Sequence, residues 1–377
     1  MDGYRLEQNL TGGEEMSAEK RREPHRENNG QRRSAMKSRK KKKLQRRRRR
    51  LRIIFALELL LIVVLVVGAA GIYQLGRIQT CTVDLEGIRV NDVNDANMKD
   101  YETFVVFGVD SRANELDKNT RSDSIILVSI NKKTKETRLL SVYRDTYVNV
   151  EEHGYTKMTH AYAYGGPELA ISTLNTNFDL NIQNFVTVNF SAVTNLVDKV
   201  GGVEIDIKEE ELKYVNSYAK DVAKINGTKY HKLKKAGVQT LDGTQATGYC
   251  RVRYTSGGDF TRAERQRTVL LGVFEKMKKS SPVVWYQVAD EMMPQIYTSY
   301  TSKEIIRMGT WFPSLDITES QGFPFDKETP TINRMSVVTA EDLSSNVTKM
   351  HEYLYGTKDY VPTGTVQSYS NEIAARH

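Results

Sequence analysis

Three short apolar runs between residues 104 and 143, each meeting charge at the same end, constrain this chain more than any other feature. Phe104 to Val109 ends on Asp110, Arg121-Ser122-Asp123 opens a second run from Ser124 to Ile130, and a third, Arg138 to Tyr143, closes on Arg144-Asp145. Short apolar runs bounded by polar segments read as buried strands. Paired as an antiparallel meander, they bring Asp110, Asp123 and Arg144 to one rim of one sheet. Carboxylates suited to a hard divalent cation beside guanidinium groups suited to phosphate point to phosphoryl chemistry.

Charge is distributed unevenly. Residues 31–52 hold fourteen Lys or Arg and no acid, so the formal +8 of the whole chain leaves −6 for everything else. The remainder is therefore not a basic nucleic-acid binder. Directly after the basic run, Ile53 to Leu75 is apolar except for Glu58, Tyr73 and Gln74. About 20 apolar residues span a bilayer, and the basic flank places that side in the cytoplasm. A cleavable signal peptide is the competing reading, since Gly68-Ala69-Ala70-Gly71 supplies small residues. A retained anchor predicts a cell-membrane protein with its N-terminus inside and its folded domain outside. The basic run then serves as topology signal and headgroup contact.

The expected organisation is a disordered basic arm over 1–52, a transmembrane helix over 53–75 and a linker or small peripheral strand over 76–99. A folded domain over 100–360 and a loose tail over 361–377 complete it. Within the domain, helical spacing runs from Pro167 to Phe178, and Val186 to Phe190 reads as a strand. Ser191 is the expected N-cap of a helix Ala192 to Val200 that stops at Gly201-Gly202. Val203 to Ile207 alternates as a half-exposed strand, and Asp242 with Gln245 resembles a capping box for a helix through Tyr249. A long helix follows from Phe260 to about Lys279, and one more helix, Ser302 to Gly309, precedes one or two closing strands. Helices alternating with such strands predict an α/β (α+β) fold: a three-layer α/β/α domain around a central mixed, largely antiparallel sheet.

Two later segments carry cations. Arg251-Val252-Arg253-Tyr254, read as extended chain, places both guanidinium groups on one side, roughly 6–7 Å apart. That spacing suits a diphosphate, and equally a solvated strand face. On the long helix, Arg262 and Gln266 share a face with Leu270, Val273 and Met277. A polar group on a core-facing stripe needs a partner, so this helix start is a candidate anion site. Arg267 points elsewhere and is expected at the surface. Asp259 is open between an N-cap and a catalytic role. His153 and His160 lack metal-ligand spacing, and His160 reads as a polar wall residue. Cys81 and Cys250 lie in the exported part, and a buried free thiol at Cys250 is as consistent with its apolar surroundings as a disulfide.

Taken in order, Gly-Val-Asp-Ser-Arg at 108–112, Arg-Ser-Asp at 121–123, Arg144-Asp145 and Ala-Tyr-Ala-Tyr-Gly-Gly at 161–166 begin a series of motifs. Val-Asp-Lys-Val-Gly-Gly-Val at 197–203, Leu-Asp-Gly at 241–243, Arg-Val-Arg at 251–253 and Gly-Asp-Phe-Thr-Arg-Ala-Glu-Arg-Gln at 258–266 complete it. The series resembles the LytR–CpsA–Psr proteins over about 101–275. The resemblance implies a phosphotransferase moving a glycopolymer from a polyprenyl (pyro)phosphate carrier to peptidoglycan. It implies Mg²⁺ at Asp110 and Asp123, and pyrophosphate binding by Arg144, Arg251 and Arg253, with Arg112, Arg121, Arg262 and Gln266 close by. Asp110, Arg144 and Asp145 are the catalytic candidates, and Asp145 could equally be a salt-bridge partner of Arg144. The chain departs from the family at Tyr143, where proline is usual, and at Gly248-Tyr249-Cys250. Alternatives are hydrolysis of the carrier's pyrophosphate and a non-catalytic regulatory or glycan-binding envelope protein.

Overall fold

In a computed structural model, the described residues are 71, 73, 76–80, 87–109, 116–117 and 120–376. The expected basic arm, nearly all of the expected span, and Cys81, Asp110 and Arg112 lie outside them. Among the described residues no helix is long and apolar enough to cross a membrane.

Along the chain, a two-residue strand β1 (Gln79–Thr80) precedes the meander β2 (Tyr101–Val109), β3 (Ser122–Asn131) and β4 (Glu136–Val142). A hairpin, β5 (Tyr147–Val150) and β6 (Gly154–Lys157), leads into α1 (Met158–Phe178), followed by β7 (Asn184–Asn189) and α2 (Phe190–Lys199). Then come β8 (Val203–Ile207), α3 (Glu209–Asn226), β9 (Gly237–Leu241), α4 (Gly243–Cys250) and α5 (Gly258–Lys278). The chain closes with α6 (Pro282–Met292), β10 (Ile296–Thr298), α7 (Ser302–Trp311), β11 (Asp316–Phe323), α8 (Leu343–Tyr355) and α9 (Gly364–Ala374), with two-residue ladders between 327 and 340.

The central sheet has the order β1-β10-β7-β2-β3-β4-β11. The meander is antiparallel as expected, but β2 pairs with β7, β4 with β11 and β1 with β10 in parallel. Three of the six pairings are therefore parallel, against the largely antiparallel sheet expected. Parallel neighbours require long crossovers, here through α1 for β7. Such pairing leaves no local mark in sequence.

Alternation along the strands sends side chains to two cores. Val105, Phe107, Leu127, Leu140 and Val142 pack on one face with Leu174 of α1 and with Val347 and Val366 of α8 and α9. Phe104, Val106, Ile126, Val128 and Leu139 pack on the other with Leu270 of α5 and Met308 of α7. Helices thus cover both faces. Burying each such side chain contributes about 1.5–3 kcal/mol. A further cluster joins α2, α3, α4 and the β8–β9 ribbon to Val269, Val273 and Met277 of α5.

Local chemistry explains several boundaries. The capping box at α4 is present: Asp242 Oδ1 accepts from Gln245 N at 2.8 Å, and Gln245 Oε1 accepts from Asp242 N at 3.0 Å. At α2 the cap is Asn189, whose Oδ1 accepts from Ala192 N at 2.8 Å, so Ser191 lies inside the helix instead of capping it. Helix α1 starts earlier than expected, kinks at Gly165-Gly166 and resumes at Pro167, a favoured first residue of a helical segment. The tail expected to be loose instead forms α9, where Val366 is fully buried.

Candidate active site

The β2–β3 ladder pairs Gly108 with Ser124 and Val109 with Ser122, which leaves Asp123 as the extra residue of a β-bulge. A bulge re-aims its side chain, here toward the rim. Gly108 permits the approach, because a Cβ there would stand 2.9 Å from Ser124 Cβ. Across the rim, Arg144 follows the end of β4. Its Nη1 donates to Asp123 Oδ1 at 2.9 Å and its Nε to Asp259 Oδ2 at 3.0 Å. Burial works against the charge on Arg144, but Asp123, Asp259 and Asp145 outweigh it and hold its pKa above the ordinary arginine value.

Asp259 is not the N-cap of α5; Gly257 occupies that position. The Asp259 carboxylate bridges Arg144 and Arg262, whose Nη2 donates to it at 3.1 Å and to the Asp123 carbonyl at 3.2 Å. The Arg262 side chain is 5% exposed, and among the described residues its Nε has no hydrogen-bond partner. Burial pushes this guanidinium down to about 10, with Arg144 and Arg253 adding to the effect and Asp259 opposing it. A buried cation with an unsatisfied donor at a cavity wall is matched by an anion.

Arg251 and Arg253 line the same cavity, of about 200 Å³, with Asp123, Arg262, Gln266 and Tyr218. Its size and polar wall suit a compact anion. The extended reading of 251–254 is corrected: Arg251 is the C-cap of α4 in αR conformation. Val252 N donates to the Tyr249 carbonyl at 3.3 Å, and its side chain is fully buried. With Val252 pinned inward, the two arginines reach the cavity from a turn. Arg251 stacks on Tyr218, 5.7 Å from the ring centroid, and Arg253 Nη2 lies 3.7 Å from Asp123 Oδ2.

Not every candidate joins this cluster. Asp145 lies 3.1 Å from Lys157 Nζ and 3.8 Å from Arg144 Nε, so it is a charge partner for both. Arg121 is exposed, and its charge acts on His160. Burial, then Arg121 and Lys157, lower the His160 pKa against Asp145, and its Nδ1 pairs with Thr156 Oγ1 at 2.8 Å. Arg267, expected at the surface, is buried. Helix α5 is covered on more than one side, by the sheet and by the β8–β9 layer, so more than one stripe faces inward.

The sequence reading missed one pair that shapes the site. Arg265 and Glu211 have side chains 2% and 3% exposed and form an ion pair, with Arg265 Nε donating to Glu211 Oε1 at 2.9 Å. The same guanidinium donates to the Val252 carbonyl at 3.0 Å and to Thr255 Oγ1 at 2.5 Å. It thereby grips the turn that carries Arg251 and Arg253. A signal existed: Glu211, Val215, Ala219 and Val222 form one buried stripe on α3, so Glu211 is the inward member of Glu209-Glu210-Glu211.

For a cation, the donors at hand are hard carboxylate oxygens. Asp123 Oδ2 and Asp259 Oδ1 meet Arg253 only at 3.7 and 3.8 Å, which leaves lone pairs for an outer ligand. Among the described residues no three His, Cys, Asp or Glu side chains gather as a metal site. Mg²⁺ held by one or two carboxylates, phosphate and water does not require three. The donor set fits that ion. Cys250 is a buried free thiol, pushed up to about 12 by burial, which makes it inert at neutral pH.

A basic cavity edged by carboxylates, at the rim of a mixed sheet with helices on both faces, defines an α/β protein with a site suited to a compact polyanion. Over residues 78–352 the chain matches the LytR_cpsA_psr family, and it belongs to that family. It is 33% identical over 225 residues, 59% of its own length and 67% of the relative's, to the polyisoprenyl-teichoic acid–peptidoglycan teichoic acid transferase TagT of Bacillus subtilis. It is 29% identical to TagU of Enterococcus faecalis, which carries the same description, over 66% of this chain and 80% of that one. Among solved structures, TagT bound to LI-WTA superposes with a TM-score of 0.57 at 25% identity, covering 74% of this chain and 100% of that one.

Proposed function

We propose that this chain is a membrane-anchored phosphotransferase that moves a glycopolymer from a polyprenyl (pyro)phosphate carrier to peptidoglycan. The observation that carries the reading is the convergence of Arg251, Arg253 and Arg262 with Asp123 on one small cavity, with Arg144 paired to Asp123 at its edge. Membership of a family whose relatives are named as teichoic acid transferases supports the same substrate class.

In this reading the diphosphate lies against Arg251, Arg253 and Arg262, with Arg144 beside them, and their forks suit its non-bridging oxygens. A hydroxyl of the peptidoglycan acceptor attacks the phosphorus that carries the glycan. The bridging P–O bond breaks, and polyprenyl monophosphate leaves with the bonding pair. The acceptor proton passes to a carboxylate, with Asp110 and Asp145 the candidates; Asp145 is paired with Lys157. Such a transfer needs charge neutralisation and positioning more than a protein nucleophile. Asp123, with Asp110, would hold Mg²⁺, which would neutralise part of the diphosphate charge. Asp123 and Asp259 fix the Arg144 fork from two sides, so its geometry exists before substrate arrives. The expected span at 53–75, with its basic flank inside, puts the domain outside the cell membrane.

The test uses the purified full chain in detergent micelles with a radiolabelled lipid-linked glycan, with and without peptidoglycan, and with and without a chelator. The reading expects label in peptidoglycan only when acceptor is present, and its loss on chelation with recovery on added Mg²⁺. Release of free phosphorylated glycan at equal rates with and without acceptor would instead establish hydrolysis.

A further inference from the structure

Beyond the phosphate cavity, the turn that carries Arg253 continues into Tyr254, whose side chain lies out of the core and is 70% exposed. Its ring packs against Tyr214, with centroids 5.9 Å apart and planes 37° apart. Tyr214 and Tyr218 stand one turn apart on one face of α3, and Tyr218 lines the phosphate cavity under Arg251. An aromatic row therefore runs from the cavity into a neighbouring groove of about 950 Å³, lined by Tyr214, Tyr254, Thr255 and Ser256. The groove also carries Lys213, Lys232 and Lys234 against Glu209 and Glu210. Lys213 Nζ sits 4.6 Å from the Tyr214 ring centroid.

Exposed aromatic rings framed by cations fit a ligand with flat apolar faces and anionic links. A glycan joined to a diphosphate has its first sugar one bond beyond the distal phosphate, so it must leave the arginine cavity at its edge. We infer that the Tyr214–Tyr254 groove is a saccharide subsite that takes the first sugars of the lipid-linked donor, with the lysines meeting its phosphate links. This rests on the diphosphate reading of the arginine cavity. The subsite is held in place: Arg265 bonds Thr255 and the Val252 carbonyl on either side of the Arg253–Tyr254 step. Donor and acceptor both contain sugars, and covalent adjacency to the diphosphate selects the donor.

Isothermal titration of the full chain in detergent micelles decides the matter. The probes are a polyprenyl diphosphate, the same lipid bearing an N-acetylhexosamine disaccharide, and a soluble peptidoglycan fragment. Tyr254→Ala is expected to weaken binding of the disaccharide-bearing lipid about fivefold, the scale of one lost aromatic contact. It should leave the sugar-free lipid and the melting temperature unchanged, while Tyr254→Phe, which keeps the ring, should retain most of the affinity. Equal weakening of both lipids, no weakening of either, or a loss confined to the peptidoglycan fragment would overturn the subsite. Failure of the wild-type chain to bind the sugar-free lipid would overturn the diphosphate reading, and the subsite with it.

Discussion

Glu211→Leu is the most revealing single substitution, because it separates what holds the site from what touches substrate. Glu211 and Arg265 are almost wholly buried, and their charges are joined at 2.8–2.9 Å. Removing Glu211 leaves the guanidinium buried with the Val252 carbonyl, Thr255 Oγ1 and the face of Tyr249, and no counter-charge in contact among the described residues. Breaking a buried pair in this way costs about 3–5 kcal/mol, a large part of the about 5–15 kcal/mol that holds a typical domain together. At about 2 °C or more per kcal/mol for a domain of this size, the melting temperature should fall by about 6–10 °C. The double variant Glu211→Leu/Arg265→Met replaces the pair by apolar side chains of similar volume, and such replacements are often neutral. It should recover most of the lost melting temperature by scanning calorimetry. It should not recover affinity for polyprenyl diphosphate, because the turn bearing Arg251 and Arg253 has lost both anchors. A single variant melting within about 1 °C of the parent, or a double variant no more stable than the single, would refute the reasoning.

Other consequences are as direct. Arg144→Ala and Asp123→Ala should each lower glycan transfer by at least about 10²-fold, the scale of one lost charge-stabilising donor, while circular dichroism still reports a folded domain. Activity within threefold of the parent would remove those residues from the site. At α8, Asp342 Oδ2 caps the helix by accepting from Ser345 N at 2.7 Å. Burial tends to raise the Asp342 pKa, but the hydrogen bonds from Ser345, Ser370 and Ser344 outweigh it and hold it below 3.8. A depressed carboxyl confers stability that is complete above the unfolded value and lost as pH falls through the folded one. Asp342→Ala should cost about 1 kcal/mol at pH 7, whereas Asp342→Asn should keep the cap and flatten the decline in stability below about pH 4.

Much of the fold was legible because its cues are local. The meander follows from three apolar runs, α4 from the Asp242–Gln245 box, and the inward face of α5 from the spacing of Arg262 and Gln266. What escaped depends on partners far away in sequence. The parallel pairings of β7 with β2 and of β11 with β4 are set by crossovers, and periodicity does not name a neighbour. Alternation made 251–254 look extended, yet one fully buried residue, Val252, and the grip of Arg265 fold it into a turn. Arg267 lies off the single inward stripe that the spacing of α5 predicts, yet it is buried because the helix is packed on several sides. The expected loose tail forms a helix because Val366 and Ile373 reach the core beside α8. Asp259, which the sequence allows as cap or catalyst, bridges Arg144 and Arg262. At Tyr143 the departure from proline is accommodated in packing. The ring meets Phe260 with centroids 4.6 Å apart, and a Cβ on Gly322 would stand 2.1 Å from its hydroxyl.

In the proposed function Arg251, Arg253 and Arg262, with Arg144 held beside them by Asp123, converge on one diphosphate. The most direct test of that convergence is the dissociation constant of a polyprenyl diphosphate for the parent chain and for Arg253→Ala, the most exposed of the cavity arginines. Loss of one charge-assisted contact predicts weakening of about tenfold or more, with polyprenyl monophosphate bound more weakly than the diphosphate by the parent. Equal affinity for the two lipids, or an Arg253→Ala variant that binds the diphosphate as the parent does, would contradict it.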